Sequence, residues 1–489
     1  MNDARDDELL DRKLDAPIAV VVATFYLFVT LLTEKFQHCN GYGDDGCMYG
    51  TWAQDFPHYA IDNKLGSYGI QRAFPSLVAW AALKLTNGRF DPPHVIRAFE
   101  MMNAFCMLVA SFTWLKIARF LRIGRTSTLL GTLAFFASYS VLKNTAWYPV
   151  LGDLWGFAIG FIVLWGYLTK RLWAIAIATL IAAFTWPSAT APGLLLMFFY
   201  GVRPPTDEAP KPVPFKLNIA LAVLVALGWI LYVGRLLEKN YWPPALIPVE
   251  TMPQAVKLSA LCAGAFFFFG LRGLTNYRPL WDPRTYLRAL ATPGAFLAIA
   301  TVVGIRWVVS HWSTPEAAGF EKWFDHTAFT SVTKPAIFIV AHPVYYGPLI
   351  LALLLRWNDV VALVHRHGPG LVSVFVLSLL FWMDCESRHS LHFFALMLPF
   401  GIKVLDERHL DRRTLGVLAV LTVLATKLWL TLPPTVGRNS WDFPNQTLFM
   451  SQGPWMANFM YFVQGVIVVL IAFWLHRRLS SAERASASP

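Results

Sequence analysis

The chain has 489 residues, of which 56% are hydrophobic and 15% are charged, and its formal net charge is +11. A soluble domain carries about 25% charged residues, so this composition excludes a large soluble protein and predicts the lipid bilayer as the surrounding medium. The positive charge does not predict a nucleic-acid partner, because lysine and arginine also mark the cytoplasmic loops of membrane proteins.

Apolar runs of spanning length recur along the chain and predict an all-α polytopic membrane protein with about 12–14 transmembrane helices. Residues 1–15 are charged, and no cleavage site follows the first run, which predicts a cytoplasmic tail and an uncleaved anchor. The integral membrane region is predicted over 16–478, and 479–489 form a second cytoplasmic tail that we expect to be disordered. The candidate spans are 16–32, 98–117, 128–142, 149–169, 172–184, 190–200, 217–237, 255–271, 290–309, 336–355, 371–382, 391–405, 415–432 and 459–475.

Clusters of lysine and arginine occur in every second connection between these spans, as at Arg119, Arg284 and Arg366. The positive-inside rule places those connections in the cytoplasm. We therefore expect a multi-pass protein of the inner (plasma) membrane whose acidic connections lie outside the cytoplasm. The charged outer connection 310–335 is predicted to be a solvated loop.

The first extracytoplasmic loop is predicted over 33–97 and contains Asp44 and Asp45 among several glycines. A carboxylate at the membrane surface can act as a general base or bind a metal, although Asp-Gly pairs also form ordinary solvated turns. Cys39 and Cys47 flank these acids, and either a disulfide or two free thiols is compatible with their spacing. The apolar run 73–85 is short for a span and has basic neighbours, including Arg72, which predicts a helix lying in the interface.

Asp153 lies just inside the outer end of the span 149–169. A charge in the membrane costs on the order of 2.5–3.5 kcal/mol at the midplane, so such residues usually face a cavity or a partner. The alternative is that Asp153 caps a helix N-terminus, where the helix dipole would stabilise it.

A late outer connection contains Asp384, Glu386, Arg388 and His389. Arg388 is the only cation other than histidine in this short loop, and an arginine can bind a phosphate through two parallel hydrogen bonds. The alternative is an ion pair of Arg388 with Asp384 or Glu386. His389 could act in proton transfer, and no third ligand stands at a spacing typical of a metal site. The sequence leaves metal dependence open, with a divalent cation compatible with these acids.

Together these stretches resemble the C-type (GT-C) glycosyltransferases, which use polyprenyl-phosphate sugars. The acids within 43–49 resemble the first-loop acids of that family, and 70–77 is similar to the arginine- and proline-containing start of its interfacial helix. Asp153 is similar to the second acid that commonly opens the fourth span. The segment from Arg388 to Pro399 resembles a late arginine motif, although His389 stands where a tyrosine is usual.

The resemblance implies an inverting sugar transfer from a polyprenyl-phosphate donor to an extracytoplasmic acceptor, either a lipid-linked acceptor or a glycan. It implies that Asp44 or Asp45 is the general base, that Asp153 shapes the acceptor or metal site, and that Arg388, Arg72 and His389 hold the donor phosphate. Two other classes remain open. One is a transporter or flippase of a lipid-linked glycan, and the other is an acyltransferase or glycan polymerase with a histidine-centred site.

Overall fold

The computed structural model describes residues 9–62, 65–202, 215–239, 253–314, 320–408, 410–430 and 458–487. Within these ranges the chain is all-α, and its single isolated bridge joins Gly66 to Thr314. The helices are α1 (Asp15–Leu32), α2 (Asp44–Gln54), α3 (Ser67–Ile70), α4 (Phe74–Leu85), α5 (Pro92–Phe120), α6 (Arg125–Phe136), α7 (Asn144–Trp147), α8 (Asp153–Leu168), α9 (Leu172–Ala183), α10 (Thr190–Phe198), α11 (Phe215–Glu238), α12 (Pro253–Thr275), α13 (Pro283–Leu290), α14 (Pro293–Ser310), α15 (Phe320–Thr330), α16 (Ile337–Tyr346), α17 (Leu349–Leu355), α18 (Trp357–Arg366), α19 (Pro369–Trp382), α20 (Leu391–Glu407), α21 (Arg412–Ala425) and α22 (Asn458–Ala487).

Six helices of the described ranges are long and apolar enough to cross a membrane, namely Arg12–Leu32, Pro92–Phe120, Lys216–Glu238, Val256–Thr275, Pro293–Ser310 and Tyr461–Ala482. Large apolar side chains on these helices face outward, and Leu31, Leu224 and Leu297 are 76%, 67% and 67% exposed. Such surfaces are stable against lipid and costly in water. The chain is therefore a polytopic helical membrane protein. Six shorter apolar helices of 10–17 residues accompany them, and the number of spans stays a prediction.

Helix α8 lies at the centre of the bundle and contacts α5, α9, α10 and α20. Its glycines permit this close packing. A Cβ atom at Gly160 would come within 2.5 Å of the His392 carbonyl oxygen, and one at Gly156 within 3.0 Å of the Trp186 ring. The start of α20 and the connection after α9 therefore both lie against the first half of α8.

The first loop has an apolar core of its own. Tyr49 and Trp52 of α2 pack with Leu83 of α4, Phe99 of α5 and the aromatic pair at 147–148. This core binds α2 to the segment that leads into α8. The sequence prediction of a helix over 73–85 is confirmed as α4, while its position in the interface stays a prediction.

Three sequence predictions about local structure were wrong. The predicted span 128–142 is interrupted, because α6 ends at Phe136 and a π-turn over Tyr139–Lys143 follows. The predicted span 336–355 is divided into α16 and α17 at Gly347, whose φ of +98° ends the helix before a proline. The C-terminal tail is helical as far as Ala487. The alternative of a turn at the first-loop acids is also wrong, because Asp44 begins a helix.

Candidate functional site

A disulfide between Cys39 and Cys47 encloses the start of α2, with their Cα atoms 5.5 Å apart, which decides between the two alternatives for these cysteines. Gly43 precedes the helix with a φ of +80°, and a Cβ atom there would come within 2.4 Å of the Tyr148 ring. The backbone N–H of Gly46 donates to the Tyr148 hydroxyl oxygen at 2.9 Å. These contacts anchor the acidic end of α2 to the segment just before α8. The side chain of Asp44 lies outside the described residues.

The late connection is a short turn between α19 and α20. Buried side chains of α16 hydrogen-bond to its backbone and to the Ser387 hydroxyl. The His342 ring lies 2.9 Å from the Ser387 hydroxyl and 2.8 Å from the Trp382 carbonyl oxygen. The Tyr346 hydroxyl donates to the Ser387 carbonyl oxygen. This support holds the next residue, Arg388, in one orientation.

Arg388 connects the late turn with the first loop. Its Nη2 atom lies 2.9 Å from Oδ2 of Asp45, and its Nε atom lies 2.9 Å from Oε1 of Glu386. These two bonds use two of the five N–H groups of the guanidinium, which leaves three for a ligand. The Arg388 side chain is only 12% exposed, whereas that of Asp45 is 42% exposed. The predicted ion pair with Glu386 therefore exists, and Asp45 joins it from the other end of the sequence.

Asp153 lies beside this pair, and its carboxylate is within electrostatic range of Arg388, His389, Asp45 and Glu386. The residue is 1% exposed, and neither carboxylate oxygen has a hydrogen-bond partner within the described ranges. Gly152, rather than Asp153, is the N-cap of α8, so Asp153 does not cap the helix, but it lies in the first turn, where the helix dipole favours a carboxylate. A buried carboxylate with two unpartnered oxygens is costly and points to a ligand that would contact it.

His389 faces two carboxylates. Its Nδ1 atom lies 3.1 Å from Oδ2 of Asp384 and 3.8 Å from Oε2 of Glu386. Burial disfavours a charge on the ring, but the carboxylates of Glu386 and Asp384 outweigh it and raise the pKa of His389 above its ordinary value. Burial would likewise raise the pKa of Glu386, but the charges of His389 and Arg388 lower it to about 2. The turn thus favours the imidazolium form of His389 more than an isolated imidazole would, beside the guanidinium of Arg388.

Arg72 and His389 both lie near the ring of Trp186. The guanidinium of Arg72 is 4.0 Å from the centre of the Tyr68 ring and 5.8 Å from that of Trp186. Trp186 in turn donates its indole N–H to the His389 carbonyl oxygen at 3.2 Å. No carboxylate among the described side chains pairs with Arg72. Arg72 and Arg388 both act electrostatically on Tyr49, so the two cations border one region.

The structure therefore brings together Asp45, Asp153, Arg388 and His389 and places Arg72 at their edge. Sequence reasoning missed Trp186, which lies between the predicted spans 172–184 and 190–200. It also considered Glu386 and Asp384 only as alternative ion-pair partners of Arg388. In the structure their carboxylates also raise the pKa of His389. The connection 310–335 is partly helical, as α15, rather than a solvated loop, and its His326 acts on Glu386.

No group of three or more His, Cys, Asp or Glu side chains among the described residues is arranged to hold a metal ion. Comparison of the sequence and the fold with known family models, characterised proteins and solved structures finds no match.

Proposed function

We propose that this protein is an inverting membrane glycosyltransferase that moves a sugar from a polyprenyl-phosphate donor to a hydroxyl group of a lipid-linked acceptor or a glycan. The observation that carries the proposal is the meeting of Asp45, Asp153 and Arg388, which come from three distant parts of the chain. Sugar transfer from a lipid phosphate needs a base and a phosphate ligand close together, and these residue types supply both.

In the proposed reaction Oδ1 of Asp45, which accepts no hydrogen bond from the described residues, takes the proton of the acceptor hydroxyl. The acceptor oxygen attacks the anomeric carbon as the bond from that carbon to the phosphate oxygen breaks. The electron pair of the broken bond stays on the polyprenyl phosphate. The guanidinium of Arg388 and the imidazolium of His389 stabilise this new negative charge through charge-assisted hydrogen bonds.

Asp153 is proposed to bind a hydroxyl group of the sugar or the acceptor, which would satisfy its two buried oxygens. Arg72, whose guanidinium lies over the Tyr68 ring, is proposed to bind the donor phosphate. The exposure of Asp45 and the burial of Arg388 are in keeping with an acceptor approaching from water and a lipid donor approaching from the bundle.

The test uses the full chain, purified and reconstituted in liposomes, with a panel of short polyprenyl-phosphate hexoses and pentoses. We expect release of polyprenyl phosphate and formation of a new glycosidic bond with at least one donor, of inverted anomeric configuration. Both products should be absent in Asp45→Asn and Arg388→Gln. Movement of the intact lipid-linked sugar between leaflets, with no bond broken, would overturn the proposal in favour of the flippase alternative.

A further inference from the structure

Two buried tyrosines lie close to the candidate site and have no part in the reaction proposed above. Tyr345 of α16 interacts electrostatically with Asp153, with Arg388 and with Tyr139, which belongs to the π-turn after α6. The rings of Tyr345 and Tyr139 meet edge to face, with their centres 5.4 Å apart. Asp153 and these two tyrosines therefore form one cluster beside Arg388, called here the hydroxyl-binding cluster.

The polar atoms of this cluster have no hydrogen-bond partner among the described residues. Tyr139 and Tyr345 are both 0% exposed, and Asp153 is 1% exposed. The two phenol oxygens and both carboxylate oxygens are without a bond. Buried polar atoms are nearly always satisfied, because a buried atom without a partner keeps its full desolvation cost. Unpartnered atoms from three separate segments of the chain, gathered in one cluster, point to a ligand that would bind them.

The two tyrosine rings are held by neighbours that leave their hydroxyl groups unbonded. The ammonium of Lys427 lies 4.5 Å from the centre of the Tyr139 ring. The Tyr345 ring contacts that of Tyr346, with centres 5.8 Å apart, and Tyr346 is itself stacked on Phe394 and bonded to the late turn. The hydroxyl groups therefore have fixed positions, which selective recognition of a ligand requires.

The chemistry of the cluster selects a ligand that is rich in hydroxyl groups. A carboxylate only accepts hydrogen bonds and a phenol group both donates and accepts, so the ligand must offer donors and acceptors together. We infer that the hydroxyl-binding cluster binds ring hydroxyl groups of the donor's sugar while Arg388 binds its phosphate. This inference rests on the proposed function, because the lipid-phosphate sugar is taken from it.

The test measures dissociation constants by native mass spectrometry on the purified full chain, a measurement that needs no turnover. The probes are neryl phosphate and its esters with mannose, galactose and arabinose. For the ester that binds most tightly, we expect the double variant Tyr139→Phe/Tyr345→Phe to lose about tenfold in affinity, because two neutral hydrogen bonds together change a Kd by roughly that factor. Neryl phosphate itself should bind the double variant and the wild type equally, since it has no sugar for the cluster.

The matched control is Tyr167→Phe. Tyr167 is a buried tyrosine of α8, the helix that begins with Asp153, and lies roughly 20 Å along that helix from it. Its hydroxyl donates to the His367 carbonyl oxygen at 3.2 Å. The control therefore removes a buried phenol group from the same bundle and should leave the affinity for the sugar ester unchanged.

Thermal unfolding without ligand separates recognition from a structural role. Tyr345→Phe should unfold at or above the wild-type temperature, because phenylalanine removes a buried hydroxyl that has no partner in the fold. Tyr167→Phe should unfold at a lower temperature, because it loses a hydrogen bond. A fall in the unfolding temperature of Tyr345→Phe as large as that of Tyr167→Phe would assign the Tyr345 hydroxyl to the fold and overturn the inference.

The binding results also separate this inference from the proposed function. An unchanged affinity of the double variant for the ester, or an equal loss for the ester and for neryl phosphate, would overturn the inference while sugar transfer by the wild type would still support the proposed function. Ester binding that depends on the two tyrosines, with no glycosidic bond formed, would support the cluster and overturn the proposed function. Absence of binding of every ester to the wild type would overturn both.

Discussion

Replacing Asp45 with asparagine separates the proposed chemistry from the stability of the fold. Asparagine has nearly the same shape but cannot take a proton from an acceptor hydroxyl. The loss of a general base lowers kcat by about 10²–10⁴-fold, which corresponds to roughly 3–5 kcal/mol in the transition state. We therefore expect transfer to fall at least a hundredfold.

The same substitution should change stability little. The Asp45 side chain is 42% exposed, so its pair with Arg388 contributes at most about 1 kcal/mol after solvent screening. Arg388 also keeps its second partner, Glu386, at 2.9 Å, so the substitution leaves no buried cation alone. Thermal unfolding in detergent should therefore differ from the wild type by only a few degrees.

The assay is steady-state transfer from whichever polyprenyl-phosphate sugar the wild-type chain accepts, with kcat and KM measured separately. Asp55→Asn is the control, because Asp55 is an exposed acid that ends the same helix. A fall in kcat with little change in KM is the mark of a group that acts in the transition state. Transfer by Asp45→Asn within about threefold of the wild type would refute Asp45 as the base. Asp44→Asn, run beside it, shows in that case whether the neighbouring acid has the role.

Three further predictions concern the late turn and the first loop. Arg388→Gln should lower the free energy of unfolding by about 3 kcal/mol, because Glu386 would stay buried without its guanidinium partner and keep only the weaker interactions with His389, at 3.8 Å, and His326. Thermal unfolding beside Arg388→Lys measures this, and equal stability would contradict it. The charge on His389 is complete below its unfolded pKa of about 6.5 and is lost as the pH rises through its raised folded value. Asp384→Asn should therefore move the alkaline loss of donor binding to lower pH, and an unchanged pH profile would count against a charged imidazolium. Reduction of the first-loop disulfide should destabilise α2 by about 2–3 kcal/mol. Amide hydrogen exchange over that helix should become faster. Unchanged exchange would mean that aromatic packing alone stabilises the helix.

The membrane class of the protein could be predicted from the sequence because hydropathy is a sum over neighbouring residues. Each apolar run carries its own preference for lipid, so the membrane character needed no knowledge of which helix contacts which. Helix ends were less predictable. The breaks at Phe136 and Gly347 depend on backbone geometry that an average over a window of residues does not detect.

The candidate acids were also visible in the sequence, because a charge in an apolar region stands out by its cost. Their relations were not visible. Asp45 and Arg388 are 343 positions apart, and their contact depends on α2 packing against the segment before α8 and on α20 packing against α8. Trp186 gave no signal of its own, since tryptophan is common in membrane proteins and only its bond to His389 sets it apart.

The amino-acid sequence by itself determined that this chain is a helical membrane protein and which of its ionisable residues are out of place in such a protein. Only the tertiary structure decided that these residues meet and that the two oxygens of Asp153 lack hydrogen-bond partners among the described residues. The preference of a residue for lipid or water depends on the residue itself, so it can be read from the sequence. Ion pairs, unpartnered atoms and cavities are properties of distances, which packing alone sets.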